Sequence, residues 1–173
     1  MKELLEAHHS NNGTYSSAVF SKCYLYRYAL TQSDEISNRL LLFLLLNPST
    51  ANHLHSDATL SRCRKRAFLL GFKSFRICNL FAFRTKNPGL MKNYSDPIGP
   101  YNDYIIQTSL NEAALVICAW GNHGTYLNRA ETVKSFLIQS KKKSFHFGLT
   151  KNKQPKHPLY LKYSQRPIKW LIK

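Results

Sequence analysis

The sequence predicts an α/β fold, a three-layer α/β/α sandwich around a mostly parallel central sheet. Three observations carry that expectation. Residues 40–46 (Leu-Leu-Leu-Phe-Leu-Leu-Leu) and 115–119 (Leu-Val-Ile-Cys-Ala) are apolar with no polar face, as in strands covered on both sides. Between and after these runs lie segments whose apolar residues recur at helical spacing. Polar or turn-forming residues, Asn47-Pro48, Asn79 and Gly121, follow the strands and direct the chain into loops.

Taken in order, residues 1–16 read as a flexible N-terminal segment. Residues 22–30 alternate, with Tyr24, Tyr26 and Tyr28 on one face and Cys23, Leu25 and Arg27 on the other, the pattern of a half-exposed edge strand. A polar turn leads to the apolar run at 40–46, a central strand that ends at Asn47-Pro48. Asp57 is placed to cap a helix carrying Leu60, Cys63, Ala67 and Leu70 inward and Arg62, Lys65 and Arg66 outward, with Gly71 as its stop. Residues 74–78 form a short strand ending at Asn79, followed by a loop with Pro88, Gly89, Pro97 and Gly99. Pro100 opens a helix to about 114, with Tyr101, Ile105 and Ala113 as core contacts. The strand at 115–119 ends in Trp120-Gly121-Asn122-His123-Gly124. A last helix, 126–139, offers Leu127, Ala130, Val133 and Leu137 to the core, and Lys141, Lys142 and Lys143 suit its C-terminus. Residues 144–147 form the final strand.

The chain of 173 residues suits a single domain, 1–173, and its 43% hydrophobic content suffices for a packed core. Twenty-five Lys and Arg stand against nine Asp and Glu, a net charge of +16 that concentrates polyanions near the surface, with nucleic acid the commonest such partner. No apolar run approaches the roughly 20 residues of a membrane-spanning helix, and the start of the chain does not look like a signal peptide. A cytoplasmic monomer without membrane contact is expected. Cys23, Cys63, Cys78 and Cys118 lack metal-site spacing and read as buried reduced thiols. Neither a cofactor motif nor a metal site is expected; His53 and His55 alone supply too few ligands.

In an open α/β sheet, ligands bind beyond the carboxyl ends of the strands. The loops starting at Asn47, Asn79, Trp120 and Lys151 each follow an expected strand, so they should meet at one edge. Asn47 can orient a water or bind an amide edge, or it can simply close a turn on its own backbone. Asp57 is the one acid near it in sequence, as a helix cap or a catalyst. Asn79, Phe81 and Arg84 supply an amide, a stacking ring and a cation, although Phe is commonly core. Trp120 stands before two glycines that permit close backbone approach, or it packs inside. His157 lies in a basic loop with Lys151, Lys153 and Lys156, where a neutral ring is favoured and can donate to a developing anion; a surface histidine is the alternative.

The segments Leu46-Asn-Pro-Ser-Thr-Ala51, Asp57-Ala-Thr59, Asn79-Leu-Phe-Ala-Phe-Arg84, Asp96-Pro-Ile-Gly-Pro-Tyr-Asn-Asp103, Ala119-Trp-Gly-Asn-His-Gly124, Gly148-Leu-Thr-Lys151 and His157-Pro-Leu-Tyr160 together resemble the family catalogued as domain of unknown function 1643. The resemblance covers residues 40–162. More distantly, Asn47-Pro-Ser49, Asn79, a strand ending in Trp-Gly and the late His157-Pro resemble the ordered motifs of the uracil-DNA glycosylase superfamily, its mismatch-specific branch above all. That resemblance implies that Asn47 positions the attacking water and His157 stabilises the departing base; Asp57, the acid near Asn47 in sequence, joins them as a catalytic candidate. It implies that Asn79 reads the base and that Leu159 or Tyr160 forms a wedge; Phe81, Trp120 and Ser49, by residue type and position, are further candidates for base contacts. Arg62, Arg66, Arg84, Lys151, Lys153 and Lys156 would hold the nucleic-acid backbone. The expected function is recognition or excision of a modified or mismatched base, in DNA by preference. A non-catalytic binding module and a hydrolase of free nucleosides or nucleotides are the alternatives.

Overall fold

The computed structural model describes residues 4–11, 13–34, 39–49, 54 and 57–172. Among these residues, eight strands form one sheet in the order β1-β2-β3-β5-β4-β6-β7-β8. β1 (Leu4–Asn11) and β2 (Thr14–Ser21) make a hairpin, and β3 (Arg27–Ser33) continues the antiparallel meander. β4 (Leu40–Leu45) pairs in parallel with β5 (Ser74–Asn79) and with β6 (Ala113–Cys118). β7 (Ser144–His146) is parallel to β6, and β8 (Ile168–Lys169) closes the far edge antiparallel to β7.

The expected mostly parallel three-layer arrangement therefore needs correction: four of seven pairings are antiparallel and the sheet is mixed. Parallel neighbours require a long crossover, whereas the two-residue connection before Thr14, with Gly13 at φ +76°, can only return the chain antiparallel. The first sixteen residues, read as a flexible segment, contribute β1 and the start of β2. The expected edge strand at 22–30 is also displaced. Its first residues turn, and β3 lies inside the sheet between β2 and β5.

β4 is buried throughout and feeds two apolar clusters by simple alternation. Leu41, Phe43 and Leu45 pack with Leu60, Cys63 and Ala67 of α1 (Ala58–Leu69) on one face. Leu42 and Leu44 share the other cluster with Ile106 and Leu110 of α3 (Asn102–Glu112) and with Val133 and Leu137 of α4 (Arg129–Ser140). A short helix, α2 (Pro88–Asn93), occupies what the sequence presents as loop; Asn87 caps it by accepting from the Gly89 N–H at 2.7 Å.

Two helices start later than expected. α3 starts at Asn102, whose side chain is itself anchored inside, and buries Ile106, Ser109 and Leu110; Ile105 is half-buried and packs against the same apolar cluster, as expected, and Ala113 is buried at the start of β6. Before α4 the chain forms a 3₁₀ turn, Asn122–Asn128, with Leu127 and Asn128 at positive φ, so Leu127 is exposed and not a core residue. Arg66, assigned to the outward face of α1, is 2% exposed. Cys63, Cys78 and Cys118 are buried and free, but Cys23 is exposed in the turn between β2 and β3. Among the described residues, no helix is long and apolar enough to cross a membrane.

Candidate functional site

The four central strand ends are knitted into one surface by bonds that extend the sheet ladder. The Leu80 and Phe81 amides donate to the Leu45 and Leu46 carbonyls at 2.9 and 3.0 Å, and Ala119 donates to Leu44 at 2.8 Å. Gly121 donates to Pro155 at 2.8 Å, bringing in the loop after β7. These loops enclose a cleft of about 610 Å³ whose lining includes Asn47, Ser49, Lys86, Lys156, His157 and Tyr160. Beneath it lies a recess of about 40 Å³ lined by Arg27, Asn47, Ser49, Asp57, Asn79 and His157, together with apolar neighbours. Asn47, Ser49, Thr59 and His157 line both spaces. The recess has room for a water or two, and the cleft has room for a nucleotide.

Asn47 does more than close its own turn. Its Nδ2 donates to the Thr85 carbonyl at 2.6 Å, tying the loop after β4 to the loop after β5, and lies 3.3 Å from the Pro48 carbonyl. With both amide hydrogens so directed, Oδ1 is the atom it offers a ligand. Asn79 is 1% exposed, and its Oδ1 has no hydrogen-bond partner among the described residues. An unsatisfied buried carbonyl is costly, so its persistence at the wall of a polar recess marks a place for a donor. The Asn79 backbone is held firmly: Asn102 Nδ2 donates to the carbonyls of Asn79 and Leu80 at 3.0 and 2.9 Å. Arg129 Nε adds a 2.7 Å bond to Leu80, and its guanidinium pairs with Asp103.

His157 Nδ1 accepts from the Leu159 N–H at 3.3 Å, which leaves the ring proton on Nε2. Burial pushes its pKa down to about 4, against an opposing pull from Asp57. At neutral pH the group is a neutral N–H donor. Asp57 caps α1, Oδ1 accepting from Leu60 N–H at 2.7 Å and Oδ2 from the Ser49 hydroxyl.

Arg27, which sequence reasoning did not place in the site, is 4% exposed at the start of β3 and lines the recess. Burial lowers its pKa to about 10, Asp57 opposes the shift and Arg84 adds to it, so it stays charged at neutral pH. The available signal was an arginine alternating with tyrosines on the apolar side of a strand pattern.

The other expected site residues divide between the cleft, the interior and the surrounding surface. Phe81 is fully buried with its ring 5.9 Å from Tyr126, and presents no face to a ligand. Trp120 reaches the cleft wall, but the residue is 1% exposed and its indole N–H donates to Gln154 Oε1 at 2.9 Å; it packs inside. Arg84 turns to the Tyr24 carbonyl at 3.0 Å and lies 5.1 Å from the Phe20 ring centre. Arg66 is spent on the carbonyls of Leu161, Lys162 and Gln165. Lys151, Lys153 and Lys156 are exposed, with Lys156 on the cleft. Leu159 and Tyr160 also line it, and Tyr160 is 84% exposed. Arg62 lies outside the cleft lining, its guanidinium over Tyr163. His53 and His55 lie outside the described residues.

A mixed-sheet α/β protein with a polar recess under a cleft at the carboxyl ends of its parallel strands is the class that fold and site define. Within it, the chain belongs to the family described as protein of unknown function (DUF1643), whose family model matches residues 27–159. No curated protein and no solved structure matches the chain.

Proposed function

We propose that the protein binds nucleic acid, draws a single modified or mismatched base into the cleft and hydrolyses its N-glycosidic bond. The observation that carries the reading is the meeting of Asn47, Asn79 and His157 around one recess, with lysines on the rim above. The chemistry assigned to each follows from its bonding. Asn47 Oδ1 accepts from and orients the attacking water. The His157 Nε2–H donates to the negative charge that develops on the departing base, a role suited to a ring that is neutral at working pH. The Asn79 amide reads the polar edge of the base, in keeping with its unpartnered Oδ1. Lys86 and Lys156 meet phosphates at the rim, and Tyr160, in place of Phe81 or Trp120, offers the exposed ring. A uracil-DNA glycosylase-like ancestry of the fold is part of this proposal and rests on the order of the motifs.

One observation favours a second reading, recognition without cleavage. Both carboxylate oxygens of Asp57 are engaged, by Ser49 and by Leu60, so Asp57 is not poised as a general base. Incubation with labelled duplexes carrying uracil, mismatched thymine or damaged bases separates the two. Cleavage predicts abasic product that falls by roughly 10²-fold or more in Asn47→Ala and His157→Ala. Tight binding with no abasic product from any duplex would leave the recognition module as the function.

A further inference from the structure

Outside the cleft, one cluster of charge stands apart from the rest of the basic surface. On α1, the Arg62 guanidinium lies 4.5 Å and the Lys65 ammonium 4.7 Å from the centre of the Tyr163 ring, with Arg66 at 5.5 Å. Three cations thus surround one ring, and like charges this close repel unless an anion joins them. Arg66 feels that crowding, its pKa being lowered first by burial and then by Arg62.

Three other surface cations have a carboxylate partner: Arg64 pairs with Asp34 at 2.6 Å, Arg76 with Glu112 at 2.7 Å and Lys134 with Glu131 at 2.7 Å. Among the described residues no carboxylate pairs with Arg62 or Lys65. Arg66 is consumed by the carbonyls of the C-terminal segment, whereas Arg62 makes one long bond, 3.4 Å, to Leu161. Lys65 is exposed to solvent.

The cluster is also continuous with the cleft. Leu161, whose carbonyl Arg62 contacts, lines the cleft itself, and exposed Tyr160 stands next to it in sequence. Cations interleaved with tyrosine rings, leading out of a nucleotide-sized space, match the alternation of phosphate and base along one strand. An acidic protein surface would use the charge but not the rings.

We propose that Arg62 and Lys65, gathered about Tyr163, hold phosphates of the strand flanking the base bound in the cleft. The proposal rests on the nucleic-acid reading above. It adds a direction: the strand leaves the cleft past Tyr160 and runs along the exposed side of α1.

The test uses the full chain with three probes, a fluorescein-labelled ten-nucleotide thymidine strand, thymidine monophosphate and polyglutamate, titrated over a range of salt concentrations. The Arg62→Gln/Lys65→Gln double variant is compared with wild type and with Lys141→Gln/Lys143→Gln, which removes equal charge beside the N-terminal end of β7, at the opposite edge of the sheet. The slope of log affinity against log salt for the ten-mer is expected to drop by about 1.4 in the cluster variant, roughly 0.7 per lost phosphate contact. The remote variant should keep the wild-type slope. Monophosphate affinity should stay within about twofold of wild type in both, which also reports that the cleft is folded. A wild-type slope in the cluster variant, or an equal drop in the remote one, overturns the track while leaving the cleft reading intact. Equal loss of binding to polyglutamate assigns the cluster to an acidic protein and overturns it too. Wild-type protein that binds neither nucleotide probe sinks the cleft reading and the track together.

Discussion

His157 shows how one side chain links stability to chemistry. Its pKa is pushed down to about 4 in the fold, while an unfolded histidine titrates near 6.5. Below pH 6.5 the unfolded chain takes up the proton first, so the contribution of the neutral ring is whole above that pH and is lost as pH falls toward 4. Thermal melting of wild type should therefore decline across this window, and His157→Gln should flatten that part of the profile; an unchanged profile in the variant would place the decline elsewhere. Asp57 separates two roles in the same way. Asp57→Ala removes a helix cap and should destabilise by about 1 kcal/mol or more in guanidinium unfolding. Asp57→Asn retains capping ability but removes the charge that favours charged Arg27, so it too is expected to destabilise. Wild-type stability in the asparagine variant would show that the Arg27 coupling is negligible.

At the scale of elements, the site depends on how α3 and α4 grip the end of β5. Asn102 and Arg129 between them occupy the carbonyls of Asn79 and Leu80, all within the buried interior. Asn102→Ala removes two donors at once, and an orphaned buried carbonyl costs about 1–3 kcal/mol. We expect that loss in denaturant unfolding, together with weakened ligand binding from a displaced Asn79. Loss of stability with unaltered affinity would limit Asn102 to a structural role. The helical starts also show what local sequence can reveal. Asp57 and the spacing of Leu60, Cys63 and Ala67 define α1 correctly, because a cap and a 3.6-residue period are local properties. The face of α3 was legible only in part: Ile105 packs against the core as expected, while the inward position of Asn102 depends on long-range polar bonds to Asn79 and Leu80. The Asn12-Gly13 pair was a readable hairpin signal for β1 and β2, yet residues 1–16 carry too weak an apolar alternation to declare strands without it.

For the whole molecule, the net charge of +16 becomes informative only once sorted by position. Arg66, Arg129 and Arg27 are internal and hold or face buried polar groups, so they cannot meet a polyanion at the surface. Lys86 and Lys156 rim the cleft, and Lys151 and Lys153 belong to the same loop region. Binding of wild type to nucleic acid should accordingly weaken steeply between about 50 and 200 mM salt. A flat response in a gel-shift titration would remove nucleic acid from consideration and favour a small uncharged ligand for the cleft.

By itself the sequence determined the central buried strand, the helix after Asp57, and the order in which Asn47, Asn79, Trp120 and His157 follow strand ends. These depend on apolar runs, caps and turn residues that act within a few positions. Tertiary structure alone decided the sheet's mixed direction, the burial of Phe81 and Trp120, the inward turn of Arg66 and the arrival of Arg27 in the recess. Each of these depends on which partner a residue meets across the sheet or across a loop tens of residues away, and local periodicity carries no record of that partner.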